Sequence, residues 1–225
     1  MPLFVVSGFG RTTGRKRKGT FKAVDADGAI TAASEAGIIV DVANVSRLPD
    51  RQPSEAQLSY AQNLGLSFPP DITFDQISDL LTRFLSHDRP CEERHLRLAK
   101  LYGVDCTSYV GKKNLFDRIW QLLLKPGREI DRAAFFAYRV ERHLVHGGQD
   151  APGCDGPDAP QIVSIGKALS SDPKILASIG QYNEGNKLIW FGTWKSPDGF
   201  VHQGGSENTI AFKTATDLLM LVLKS

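Results

Sequence analysis

Six cations, Arg11, Arg15, Lys16, Arg17, Lys18 and Lys22, fall close together near the start of the chain with no acid among them. Such a run can neutralise several phosphates of a nucleic acid, with a steep dependence on salt. Cations on a hairpin also discourage edge-to-edge aggregation of sheets, so a purely protective reading stands beside it. A second pair, Lys112 and Lys113, follows Gly111 and opens a predicted helix.

Other groupings that could do chemistry are thinner. His143 and His146 lie three apart on a predicted helix, with Cys154 and Asp155 beyond. Zinc accepts His and Cys at such spacing, but a fourth ligand would have to come from a distant residue such as His202. Histidines near a helix C-terminus are also ordinary dipole partners. Neither a metal nor a cofactor is assigned. Ser206, His202 and Asp198 are close in sequence on a predicted hairpin and loop, and no GxSxG elbow is present. Cys154 with His143 or His146 would make a thiol–imidazole pair, but nothing in the sequence fixes their geometry. Gly8-Phe9-Gly10 with Gly14 is no phosphate loop, since no Lys-Ser/Thr opens a helix after it. No catalytic residue is assigned. Trp190, Phe191, Trp194 and Phe200 are expected as core and as cover for the last helix. An exposed Trp194 would be a stacking platform or a partner hot spot.

The elements that must position these residues follow from hydrophobic period and breakers. Residues 3–8 and 19–24 read as strands around the polar loop RTTGRKRK, so the basic run is placed at a hairpin tip. DADGAITAASEAG reads as a helix with Asp25 or Asp27 as N-cap and Gly37 as its stop. IIVDVANVSRL is a third strand. PDRQP is a linker. Beyond it, residues 55–85 and 93–123 align at an offset of 38 without a gap: Leu58 on Leu96, Ala61 on Ala99, Gly65 on Gly103, Asp79 on Asp117. Each segment reads as a helix ended by a left-handed glycine, an extended linker and a second helix. Ser54 and Gln57 suggest a capping box. Residues 129–146 read as an amphipathic helix with Ile130, Ala134, Ala137, Val140 and Leu144 on one face. A Gly/Pro/Asp-rich stretch follows at 147–160. Helices are expected near 161–169 and 172–182. A hairpin of LIWFGTW and FVHQG turns at SPDG. A last helix, 209–224, is expected to be buried against that hairpin by its LLMLVL turns.

Composition bounds the class. The chain has 225 residues and a net charge of +2, so no global polyelectrolyte character points to nucleic acid. Its three cysteines form no CxxC pair, which favours a reducing cytoplasm without disulfides. The start lacks the order of a signal peptide, and the apolar run 218–223 is too short to span a bilayer. A soluble cytoplasmic protein that does not engage a membrane is expected.

The second repeat, HLRLAKLYGV then GKKNLFDRI, resembles a SAP-type helix–extended–helix module. Leu96, Ala99, Leu101, Gly103, Val104, Gly111, Lys112, Leu115, Arg118 and Ile119 fit that order, with a longer linker between the helices. The resemblance covers about thirty residues and implies DNA contact through Lys112 and Lys113. In the first repeat the matching positions are Phe74 and Asp75, whose carboxylate would repel phosphate. SEAQLSYAQNLGL also resembles a segment at the ends of varied bacterial and phage DNA-processing proteins. The N-terminal module resembles a small ββαβ unit common in bacterial proteins of unknown role.

The sequence therefore predicts an α+β multi-module protein. Its modules are a ββαβ unit at 1–48, helical repeats at 54–86 and 92–126, and an α+β module at 129–225 with a hairpin and a buried last helix. The expected function is a non-enzymatic nucleic-acid-binding accessory of bacterial or mobile-element origin. The alternatives are a protein–protein adaptor and an enzyme sited in the C-terminal module. Expected nucleic-acid contacts are Arg11, Arg15, Lys16, Arg17, Lys18, Lys112 and Lys113.

Overall fold

The computed structural model describes residues 3–23, 25–147 and 156–222. The fold is α+β, and the modules gather into two compact units. One comprises residues 1–85 with 105–109, the other 86–104 with 110–225.

The first unit opens with β1 (Leu3–Gly10) and β2 (Lys16–Lys22), then α1 (Ala26–Glu35) and β3 (Ile38–Arg47). The three strands form an antiparallel sheet in the order β2-β1-β3. Of the two expected candidates, Asp25 caps α1 by accepting from the Gly28 N–H, and Asp27 lies in the first turn. Alternate residues of β1, Phe4 and Val6, pack with Phe21, Ile38 and the small α1 residues Ala29 and Ala33. The helix therefore covers one sheet face only.

β2 starts earlier than the sequence suggested. Lys16, Arg17 and Lys18, expected in the loop, belong to the ladder opposite Phe9, Gly8 and Ser7. The polar run has little strand propensity of its own; pairing with β1 overrides it. The hairpin closes over residues 11–15, where Gly10 N–H donates to the Arg15 carbonyl (2.8 Å) and Gly14 takes φ +61°.

The same unit holds α2 (Glu55–Asn63) and α3 (Phe74–Leu85). Ser54 and Gln57 form the expected capping box. Ala61, Ile72, Ile77 and Leu80 make a second small core, joined by Leu58, Leu66, Phe68, Leu81 and Tyr109.

The second unit contains α4 (Glu93–Tyr102) and α5 (Lys112–Leu123), which lie at the 38-residue offset from α2 and α3. Gly65 and Gly103 both adopt left-handed φ, +74° and +70°. Then come α6 (Glu129–His146), α7 (Pro160–Ser170), α8 (Pro173–Gly180), a 3-10 turn at Gly185–Leu188, β4 (Thr193–Lys195), β5 (Val201–Gln203) and α9 (Ile210–Val222).

The amphipathic reading of α6 needs correction. Residues 133–140 are buried without interruption, whereas Ile130 and Leu144 are exposed. α6 is the central helix, packed by α5, α7, α8 and α9. Phe135 lies within ring contact of Tyr102, Phe116, Trp120 and Tyr138. Gly166 lets α7 approach closely, since a Cβ there would sit 2.7 Å from the Ala134 backbone nitrogen.

The C-terminal hairpin is much shorter than expected. Fully buried Arg139 of α6 donates from Nε to the Leu188 carbonyl (2.8 Å) and from its terminal nitrogen to the Ile189 carbonyl. Its guanidinium lies over the Phe116 and Tyr138 rings. With those carbonyls engaged, residues 185–188 form a 3-10 turn, and strand pairing begins only at Thr193. The last helix differs too. α9 packs on α6, α7 and α8, and its final Met220, Leu221 and Val222 are exposed. No helix among the described residues is long and apolar enough to cross a membrane.

Candidate nucleic-acid interface

The β1–β2 register sorts the basic run by face. Residues directly opposite in an antiparallel pair share a face. Phe4 and Val6 face α1, so Val5, Ser7 and Phe9 face away from it. Lys16 stands opposite Phe9, Lys18 opposite Ser7, Thr20 opposite Val5 and Lys22 opposite Leu3. β3 adds Ile39, also opposite Phe9. The uncovered face thus carries a column of lysines beside an apolar pair, with Phe9 51% and Ile39 56% exposed.

The remaining cations have other surroundings. Arg17 pairs with Gly8 on the helix side, and its side chain lies over Gly10, where a Cβ would come within 2.9 Å of Cδ. Arg11 donates from Nη2 to the Ser34 carbonyl (3.3 Å) in the last turn of α1, a favourable end of the helix dipole for a cation. Lys22 pairs with Asp105 at 3.0 Å. Arg15 is exposed at the end of the loop. Of the expected contacts, Lys16 and Lys18 share the open sheet face. Residues 3–22 contain no carboxylate.

Lys112 and Lys113 belong to the other compact unit. The start of α5 already holds an anion from its own chain. Asp88 accepts from Lys113 N–H and Asn114 N–H, both at 3.1 Å, while Lys112 N–H donates to the Arg89 carbonyl at 2.8 Å. Gly111 makes room for this carboxylate: a Cβ there would fall 2.2 Å from Asp88 Oδ2. The backbone donors that the SAP resemblance assigns to phosphate are engaged by Asp88.

The described members of the other groupings have partners of their own. The His202 ring stacks on Trp194 at 5.1 Å, Asp198 accepts from Ser196 Oγ, and the Ser206 carbonyl accepts from Tyr182. Trp194 is 55% exposed but has one face toward His202. Phe191 is core, whereas Phe200 is exposed. His143 Nε2 lies 2.8 Å from Glu207 Oε1. No cluster suited to a metal occurs among the described residues. The His146 side chain, Cys154 and Asp155 lie outside them.

Sequence reasoning missed Phe9, Ile39 and Asp88. The first two gave little signal, because the face they share with the lysines depends on a β1–β2 register that runs into a segment read as loop. Asp88 gave none, since its role depends on a turn that returns it to Gly111. Comparison of the chain with family models, curated proteins and solved structures returns no match.

Proposed function

We propose that this chain is a cytoplasmic, non-enzymatic accessory protein that binds nucleic acid, with the β1–β2 hairpin as its main phosphate contact. The observation that carries the reading is the acid-free hairpin, which places Lys16 and Lys18 on an open sheet face with Arg15 at its end. Contacts of this kind act by charge and read no bases. Lys113 is exposed and adds long-range attraction, but the Asp88 cap makes the second repeat the weaker contact. The SAP resemblance of that repeat points to the same class of ligand.

The test is a salt titration of labelled duplex and labelled single strand, followed by fluorescence anisotropy. Replacing Lys16 and Lys18 together by Ala should weaken binding to all sequences alike. It should flatten the slope of log affinity against log salt by about two, near one per lost contact. Absence of binding by the wild type at low salt and micromolar protein would falsify the reading. An adaptor role would then lead, since Trp194 and Phe200 are exposed aromatics on the β4–β5 hairpin.

A further inference from the structure

We infer that the ligand of the hairpin is single-stranded, with one base stacked on Phe9 and the adjoining phosphates held by Lys16 and Lys18. This rests on the nucleic-acid reading above and specifies its substrate. A phosphate contact alone would need only cations. This face also presents an aromatic ring, half exposed, between Lys16 on one neighbouring strand and Ile39 on the other. Exposing an apolar pair beside the hairpin end of a basic column is unfavourable in water, and a base laid on the ring would cover it.

The geometry suits an extended strand. Lys16 and Lys18 are two residues apart on β2, about 7 Å along the strand. Ser7 stands opposite Lys18, and this small residue leaves space beside the Phe9 ring on the same face. One nucleotide can place its base on Phe9 and its phosphates toward the two ammonium groups. A duplex cannot use the ring in this way, because its base faces are already stacked on their neighbours. It would engage the lysines only. Charge complementarity fixes the sign of the occupant, since residues 3–22 bring six cations and no acid. The ring selects a polyanion with free aromatic faces over an acidic protein segment.

The experiment uses the full chain with a labelled oligothymidylate, a single-stranded RNA of the same length and a duplex, compared across the same series of salt concentrations. Phe9→Leu keeps an apolar strand residue and removes the ring face; circular dichroism checks that it folds. The wild type should bind the single strands more tightly than the duplex. Phe9→Leu should weaken single-strand binding roughly tenfold with the salt slope retained, and the duplex should lose far less. Phe9→Trp, with a larger ring, should hold or raise single-strand affinity. The double Lys16→Ala, Lys18→Ala variant should weaken every probe and flatten the slope. If Phe9→Leu and Phe9→Trp match the wild type on single strands while the lysine variant still weakens binding, no base sits on the ring. The inference then fails and the phosphate reading survives. If the wild type binds no probe, both fail, and the lysines serve only to keep the β2 edge from pairing.

Discussion

The helix pairs 55–85 and 93–123 share their element order and the glycine that stops the first helix, yet they treat the start of the second helix in different ways. In the first, Thr73 and Gln76 cap reciprocally, Thr73 N–H to Gln76 Oε1 at 2.9 Å and Gln76 N–H to Thr73 Oγ1 at 3.4 Å. Arg51 lies over the Phe74 ring at 3.8 Å. In the second, the cap is Asp88, which accepts from Lys113 N–H and Asn114 N–H. Asp50, the residue offset from Asp88, pairs instead with Arg47. The shared features are therefore those the backbone needs. The differing ones lie at the start of the second helix, which each repeat caps with its own side chains.

A second shared position makes the same point. Asp79 and Asp117 align in sequence, and each accepts from the backbone and side chain of one distant residue. Asp79 takes Thr107 N–H (3.0 Å) and Oγ1 (2.9 Å); Asp117 takes Asn186 N–H (2.8 Å) and Nδ2 (3.2 Å). Each pins a non-helical segment against a helix.

The two are buried unequally, and the largest effect should follow that inequality. Asp79 is 5% exposed, while Asp117 is half-buried. Asp79→Ala strands the Thr107 donors and should cost about 2–3 kcal/mol. Asp117→Ala should cost about 1–2 kcal/mol, because water can reach part of the site. Urea unfolding, with separate probes for the two compact units, measures both. Equal losses would break the contrast.

The caps come next in size. Asp88→Ala should destabilise by about 1 kcal/mol, and Thr73→Ala, whose helix-capping bond is longer, by less. Gly111→Ala should reproduce the Asp88 loss, since its Cβ occupies the place of the carboxylate. Removing Asp88 also frees the N–H groups beside Lys112 and Lys113. Phosphate affinity of the second repeat should then rise, read as tighter duplex binding at low salt. Unchanged binding in a folded Asp88→Ala protein would remove the second repeat from the interface.

These contrasts mark how far the sequence could be read. Helix pairs, the left-handed Gly65 and Gly103, and the Ser54 and Asp25 caps were legible because short-range pattern decides them. The cations were legible by type but not by face. Their face depends on the β1–β2 register, which extends into a segment whose composition reads as loop. The 3-10 turn at Gly185–Leu188 was hidden for a similar reason. It follows from Arg139, a charged residue fully buried within an otherwise apolar stretch of α6. Local composition does not announce that a guanidinium will engage carbonyls about fifty residues away. The exposed end of α9 shows the reverse error, where a sequence apolar enough for a core stays at the surface.

The smallest effect concerns protons at the second aspartate. Burial raises the Asp117 carboxyl above its ordinary value of 3.8, and nearby Glu184 adds to the shift, while the bonds from Asn186 oppose it. The folded chain therefore binds a proton there more readily than the unfolded chain between 3.8 and the raised value. Stability falls as pH rises through that window, and the penalty is present in full above it. Asp117→Asn has no proton to gain. Its amide oxygen can still accept from Asn186 N–H once the side-chain amides reorient. Lowering the pH from neutral toward 4 should therefore favour wild type over Asp117→Asn, although both lose stability through their other carboxylates. The difference in Tm between the two proteins, followed across that range, isolates Asp117 because every other group is common to both. A difference that stays flat, or moves toward the variant in acid, would mean that the Asn186 bonds outweigh burial and that this site is better satisfied than its half-buried carboxylate suggests.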